Sequence, residues 1–366
     1  MAVVLSRPKR HKPQWHELRV AAVDRLTDEA VSVAFAVPER LRETFDFSPG
    51  QHLTLRRYEG EEEIRRSYSI CSTPSTLRRD GLLRVGIKQV PSGAFSAYAN
   101  TGLCVGDVVE LLPPLGGFTT PLDPSRSRHY AGIVAGSGIT PVLSIAATAL
   151  ETEPESRVTL LFGNKTSATI MFADELADLK DRHPQRFHLI HVLSREERPA
   201  RLLHGRLDPP RLARVFAELV PVDTIDDWFL CGPYGMVTGA QKALADAGVD
   251  PSAVHTELFY AEEIPPPPPE DAKGGDAELT VKLDGRSSTV TMHRDQRVLD
   301  AALTARGELP YACKGGVCAT CRAKLLEGEV HMARNFALDQ TDLDAGYILT
   351  CQSTPLTDKL VVDYDA

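Results

Sequence analysis

Four cysteines near the C-terminus constrain this chain more than any other feature. Cys313, Cys318 and Cys321 follow the spacing C-x4-C-x2-C within Tyr311-Ala-Cys-Lys-Gly-Gly-Val-Cys-Ala-Thr-Cys321, and Cys351 lies about thirty residues on. In that spacing four thiolates hold two irons and two sulfides. A fold that carries it must bring one tight loop and one distant segment together. Gly315-Gly316 lets the loop backbone curl closely, and N–H groups in such a loop can point at the sulfurs. The expected group is a [2Fe–2S] cluster, a one-electron carrier near roughly −400 mV. A structural zinc site pairs two short knuckles, whereas this sequence has one knuckle with an extension. Cys318-Ala-Thr-Cys321 alone reads equally as a redox pair, but Cys313 at its offset and Cys351 argue against that. A disulfide framework needs an oxidising compartment.

Nothing in the sequence points to export. Met1-Ala-Val-Val-Leu-Ser-Arg-Pro-Lys-Arg10 has no apolar core of signal-peptide length, and no stretch approaches the roughly 20 apolar residues of a membrane span. The expectation is a cytoplasmic chain without a membrane partner. A net charge of −9 argues against nucleic acid. The other cysteines, Cys71, Cys104 and Cys231, are scattered.

A length of 366 residues predicts two or three domains. Ile264-Pro-Pro-Pro-Pro-Pro-Glu-Asp-Ala-Lys-Gly-Gly-Asp276 combines a proline run with a charged, glycine-containing stretch. It reads as a semi-rigid spacer or as a proline motif for a partner domain. The expected division is a tail at 1–17, a barrel at 18–124, an α/β unit at 125–260, the linker at 261–276 and a cluster domain at 277–366. The barrel follows from short strands such as Leu18–Val23, Val31–Phe35 and Leu83–Lys88, punctuated by Gly and Pro. From His129 to Phe259 strands alternate with helical stretches, as in a parallel sheet. In the last unit Leu279–Leu283 and Ser288–Met292 predict a hairpin turning at Asp284-Gly285, before a helix from Val298 to Arg306. That layout resembles a β-grasp ferredoxin.

Three further segments carry chemistry. Arg66-Ser-Tyr-Ser69 puts Arg66 and Tyr68 on one strand face and Ser67 and Ser69 on the other. The arginine offers forked donors for a pyrophosphate and the tyrosine a face for a planar ring. Gly93-x-x-Ser96 can present backbone N–H groups at a helix start. Each reads equally as an ordinary barrel strand and a capped helix. His129-Tyr-Ala-Gly-Ile-Val-Ala-Gly-Ser-Gly-Ile-Thr-Pro141 is a buried strand entering a glycine turn and a helix, which makes a phosphate-binding arrangement. Trp228-Phe-Leu-Cys-Gly-Pro233 is a second strand whose carboxyl end should lie beside that turn.

R-x-Y-S, G-x-x-S, G-x-G-x-T-P and C-G-P, in this order, resemble the ferredoxin–NADP reductase superfamily. With the C-terminal cluster domain, the chain from about Val20 to Tyr364 resembles the flavin and iron–sulfur reductases of multicomponent oxygenases. Met332-Ala-Arg-Asn-Phe-Ala-Leu338 and Gly346-Tyr-Ile-Leu-Thr-Cys-Gln-Ser353 resemble those that serve a di-iron epoxidase. The resemblance implies FAD, with Arg66 on its pyrophosphate, Tyr68 on the isoalloxazine and Ser69 near N5. It places Lys88 and Val90 beside the flavin, and Gly93 and Ser96 at the pyrophosphate. It implies that Gly136, Gly138, Thr140, Pro141, Gly232 and Pro233 hold the nicotinamide nucleotide, with Cys231 against the nicotinamide ring and Glu257 as a nearby carboxylate. Cys231 reads equally as a buried core thiol, and Glu257 as a surface glutamate. Ser194 and Arg195 resemble a 2′-phosphate pair and imply NADPH; the alternative is a loop charge balanced by Glu196 and Glu197. Relatives of two domains end in an aromatic over the flavin, and Phe259 is the candidate here.

A nicotinamide gives up two electrons as a hydride, whereas the cluster accepts one. FAD accepts the pair and releases single electrons. The expected route is NADPH to FAD to [2Fe–2S] to an oxygenase, either a di-iron epoxidase or a steroid or aromatic-ring hydroxylase. A non-catalytic redox sensor built from the same modules is the reading from another class.

Overall fold

The computed structural model describes residues 14–259 and 274–366. The proline run and most of the expected tail lie outside them. Among the described residues no helix is long and apolar enough to cross a membrane.

The first unit is built on a six-stranded antiparallel sheet. Its elements are β1 (His16–Thr27), β2 (Ala30–Ala36), β3 (His52–Glu59), β4 (Glu62–Ser69), helix α1 (Pro74–Asp80), β5 (Leu82–Lys88), helix α2 (Ala94–Thr101) and β6 (Val108–Leu111), with strand order β4-β3-β6-β1-β2-β5. Alternation turns Leu18, Val20, Val33 and Phe35 into the core with Phe45, Leu53 and Phe95. Register shifts in β1 at Val20/Ala22 and Arg25/Thr27 bend the sheet. An Ile70–Val85 bridge then joins its two outermost strands into a barrel. Helix α1, capped by Thr73 and started by Pro74, ends at left-handed Gly81.

The second unit is a parallel sheet covered on both faces. It runs β7 (His129–Ala135), α3 (Ile139–Thr152), β8 (Arg157–Asn164), α4 (Ala173–Arg182), β9 (Phe187–Leu193), α5 (Pro209–Glu218), β10 (Asp227–Cys231), α6 (Tyr234–Asp246) and β11 (Val254–Glu257), in order β11-β10-β7-β8-β9. β7 and β8 are buried almost throughout, as strands between two helical layers must be. One core joins α3 and α4 to the sheet through Val142, Ile145, Leu176 and Leu179. The other joins α5 and α6 through Leu212, Val215, Ala240 and Leu244. The strand order reverses between β7 and β10, so their carboxyl ends frame the crevice where such sheets take ligands. This unit is closely packed on the barrel: a Cβ on Gly86 of β5 would meet Thr140 Cγ2 at 2.7 Å. Ser144 Oγ donates to the Ser72 carbonyl at 2.7 Å.

The third unit comprises β12 (Asp276–Leu283), β13 (Arg286–His293), α7 (Val298–Ala305), β14 (Arg322–Glu327), β15 (Val330–Met332), α8 (Gln340–Asp344), β16 (Tyr347–Leu349), β17 (Ser353–Pro355) and β18 (Lys359–Asp363). Its five-stranded sheet has the order β13-β12-β18-β14-β16, with α7 packed on it through Val298 and Ala302. The predicted hairpin turns at Asp284 (φ 54°) and Gly285 (φ 68°), the left-handed pair that a two-residue turn requires. The Asp365 carboxylate accepts both of their N–H groups.

Candidate functional site

The cysteine loop is shaped by left-handed residues at Lys314, Gly316 and Ala319. Of the expected glycine pair only Gly316 uses that freedom, and a Cβ there would meet Gln352 Cγ at 3.0 Å. Gly315 N–H donates to Cys313 Sγ at 3.3 Å. Gln352 Nε2 donates to the carbonyls of Lys314 and Cys351, at 2.8 and 3.0 Å, and so ties the distant segment to the loop. Thr350 Oγ1 adds a 2.8 Å contact to the Tyr364 hydroxyl and donates to the Cys321 carbonyl at 2.9 Å. Among the described residues no three His, Cys, Asp or Glu side chains converge on one metal ion. The four thiols are near enough to interact, most strongly as Cys313 with Cys318 and Cys321 with Cys351, and also across those two pairs. A lone zinc ion needs converging donors. Two pairs suit a two-iron, two-sulfide core, so the residues fit the cluster.

That loop faces a cleft in the other two units. His52, Arg66, Ser67, Ser69, Glu257, Leu258, Phe259, Cys313, Val317 and Cys318 line it. Its volume of about 70 Å³ admits the edge of a planar ring. Strand pairing explains the convergence. In the β3–β4 register His52 faces Ser69 and Thr54 faces Ser67, so one face of the hairpin turns toward the third unit. Ser69 Oγ donates to Glu257 Oε2 at 3.1 Å. Glu257 is therefore no surface glutamate. Burial pushes its carboxyl up to about 8, against the Ser69 hydrogen bond and with help from the nearby Cys318 sulfur. Burial also lowers His52 to about 4, and its Nε2 has no partner among the described residues. Tyr68 packs on Phe95 at 5.6 Å rather than in the cleft. Arg66 is exposed, and its Nη1 donates to the Arg65 carbonyl at 2.7 Å.

A wider groove of about 790 Å³ is lined by Glu29, Arg57, Val90, Gly93, Ala94 and Tyr98, among others. It opens at the N-terminus of α2, where unpaired backbone N–H groups favour an anion. Ser96 is turned away from it. Its hydroxyl donates to the Gly93 carbonyl at 3.0 Å and accepts the Val90 N–H at 3.2 Å, so it shapes the loop. Lys88 Nζ lies 3.8 Å from Glu29. Together the anion-favouring helix end and a cleft that admits a ring edge suit a dinucleotide flavin.

At the switch of the parallel sheet, the Gly136–Gly138 turn meets the end of β10. A Cβ on Gly138 would stand 2.1 Å from the Cys231 carbonyl oxygen, so only glycine fits. Gly232 adjoins the same contact, and Pro233 precedes α6. Thr140 Oγ1 donates to the Ser137 carbonyl at 3.0 Å, and Pro141 lies in the first turn of α3. Cys231 is fully buried, and burial then Glu257 push its thiol well up, so it is neutral. Ser194 and Arg195 follow β9, where Ser194 N–H donates to the Asn164 carbonyl and Arg195 N–H to that of Lys165.

Sequence reasoning missed His52 and Arg65. For Arg65 a signal existed: in Arg65-Arg66 the first arginine falls on the Ser67 face, where a cation needs a partner.

Three family models match, described as an oxidoreductase FAD-binding domain over residues 17–120, an oxidoreductase NAD-binding domain over 133–242 and a 2Fe-2S iron-sulfur cluster binding domain over 281–356. The chain is 43% identical to one of the subunits of the 1,2-phenylacetyl-CoA epoxidase of Escherichia coli (strain K12), over 96% of this chain and 98% of that protein. It is 33% identical to the ferredoxin reductase component of a 3-ketosteroid-9-alpha-monooxygenase of Rhodococcus rhodochrous, over 95% of this chain and 96% of that one. In fold it resembles phthalate dioxygenase reductase, with a TM-score of 0.59 and 21% identity over 95% of this chain and 98% of that one. The chain therefore belongs to the reductase components of oxygenase systems, the electron-transfer oxidoreductases that join FAD-binding and NAD-binding domains to a 2Fe-2S domain.

Proposed function

We propose that this reductase draws electrons from NADPH and delivers them singly to a di-iron oxygenase that epoxidises phenylacetyl-CoA. Bound flavin supplies the change from two-electron to one-electron chemistry, and the cluster the one-electron carrier. Cys313, Cys318, Cys321 and Cys351 would hold the cluster. Arg66, Gly93 and the start of α2 would hold the flavin phosphates, with Ser96 shaping that loop and Tyr68, Lys88 and Val90 beside the flavin ring. Ser69, Glu257 and Cys231 would border the point of hydride transfer; with the neutral thiol and a carboxyl raised by burial, they keep water and fixed charge out of it. Gly136, Gly138, Thr140, Gly232 and Pro233 would receive the nicotinamide nucleotide.

The donor preference rests on the end of β9. The Glu196 carboxylate is held by Ser167 N–H and Oγ–H at 2.7 and 2.8 Å, which favours a free Arg195 guanidinium. Asn164 stands at the end of β8, where an NAD-specific site places an acid, and its buried Nδ2 has no partner among the described residues. An exposed guanidinium and an unused amide donor suit a 2′-phosphate. Measuring kcat/KM for NADPH and NADH in the parent and in Arg195→Ala tests this. Equal values, or no selective loss of NADPH use, would overturn it.

The acceptor rests on the near full-length likeness to the epoxidase component. Reconstitution with the di-iron oxygenase and phenylacetyl-CoA should give product coupled to NADPH. Coupling only to a steroid hydroxylase would overturn the assignment.

A further inference from the structure

Arg65 lies on β4, yet its guanidinium ends in the third unit. It is 2% exposed. Its Nη1 donates to the Leu309 carbonyl at 2.8 Å, and its guanidinium carbon stands 4.0 Å over the Tyr311 ring. The Trp15 ring lies 5.1 Å away, and Nη2 pairs with Glu63 at 2.9 Å. Nε is buried without a partner among the described residues. Tyr311 is two residues before Cys313, and Leu309 is itself buried in the core of the third unit. The same hairpin face brings Thr54 Oγ1 within 3.4 Å of Thr320 Oγ1, immediately before Cys321. These contacts bracket the cysteine loop at both ends.

A buried guanidinium with its Nε unpartnered among the described residues is a poor device for the barrel's own stability, because its desolvation is only partly offset. It is well placed to fix a neighbour. We propose that Arg65 is the positioning residue that seats the cluster loop against the flavin cleft, gripping Tyr311 and the Leu309 carbonyl, and so sets the rate of internal electron transfer. The step it governs is a one-electron transfer. With both groups bound, the flavin would give up one electron and one ferric iron would take it up as ferrous, with no bond to the cluster formed or broken. Such transfer falls steeply with distance, so loosening the loop slows it without touching hydride uptake.

The inference rests on the reading of the cleft as a flavin site beside the cluster. Flavin and iron are therefore quantified first in the parent chain, where failure of that reading would appear. The test uses full-length Arg65→Met, Arg65→Lys, Tyr311→Leu and the Arg65→Met/Tyr311→Leu double variant. Stopped-flow absorbance follows flavin reduction and cluster reduction separately after mixing with NADPH. Hydrogen exchange reads amide protection over residues 309–320. Arg65→Met should retain flavin, iron and the rate of flavin reduction. Cluster reduction should slow by about tenfold, which corresponds to about 1.4 kcal/mol, and exchange over 309–320 should rise. Arg65→Lys should recover part of the rate, because an ammonium can still donate to the carbonyl and sit over the ring. The double variant should be no slower than the slower single variant, as expected for one shared contact. Unchanged cluster reduction in Arg65→Met, unchanged exchange, or additive losses would overturn the proposal. If Arg65→Met does not fold, Tyr311→Leu with full iron content is read by the same two measurements.

Discussion

Cys318 is buried at the junction of all three units, and its replacement separates the two redox centres. Serine offers a harder, weaker ligand than a thiolate. Cys318→Ser should lose iron and electron delivery while flavin content and flavin reduction by NADPH persist. Full iron and labile sulfide in that variant would remove Cys318 from the ligand set. His52 answers to pH. Burial lowers its folded value from 6.5 to about 4, so between those values the unfolded chain binds a proton that the folded chain refuses. Its contribution is intact above pH 6.5 and is lost as the pH falls toward 4. The loss is about 2 kcal/mol between pH 7 and pH 5. Urea titrations of the apoprotein at the two pH values should show that difference, and His52→Asn should lack it. An unchanged difference in the variant would assign the acid sensitivity elsewhere.

At the scale of elements, the nucleotide crevice depends on how the turn after β7 fits the end of β10. Gly138→Ala places a methyl carbon 2.1 Å from the Cys231 carbonyl oxygen, which is backbone and cannot step aside. The turn must shift, and the expected result is a KM for NADPH raised by tenfold or more, about 1.4 kcal/mol or greater, with iron content unchanged. An unchanged KM would show that the turn does not shape the nucleotide site. This crevice was legible in the residues, because a buried strand, a glycine turn and a helix are local events. The hairpin at Asp284-Gly285 was legible for the same reason. The partners of side chains that meet across units were not. Nothing near Ser69 announces Glu257, 188 residues away, and the inward ring of His52 follows only from its register with Ser69. Ser96 adds a local detail that spacing does not reveal: its hydroxyl is bonded within its own loop, to the Gly93 carbonyl and the Val90 N–H. The glycine pair of the cysteine loop divides likewise, since Lys314 and Ala319 take left-handed conformations that composition does not reveal.

At the scale of the molecule, three units close around one cleft, with side chains from each touching the others. Val317 joins the core beside α5 and α6, and Tyr234 meets Phe336 edge-on at 6.1 Å. Among the described residues, the barrel meets the third unit through a buried guanidinium, a carbonyl, an aromatic ring and two hydroxyls. Buried pairs are little screened by salt. Raising sodium chloride from about 0.05 to about 0.5 M spans Debye lengths well above and well below 10 Å, yet internal cluster reduction should change by less than about twofold. A steep fall in stopped-flow rate would mean that surface charge steers the loop onto the flavin.

The burial of Cys318 and Val317 against the nucleotide unit also governs waste. Dioxygen accepts stray electrons from any reduced carrier that it can reach. One side of the cysteine loop is roofed by protein, with Cys318 and Val317 both buried, and that roof should shield a reduced cluster from dioxygen. Loosening that roof, as in Arg65→Met, is expected to raise the peroxide released per NADPH oxidised, which would make coupling efficiency partly a property of how the units pack and only partly of the oxygenase they feed.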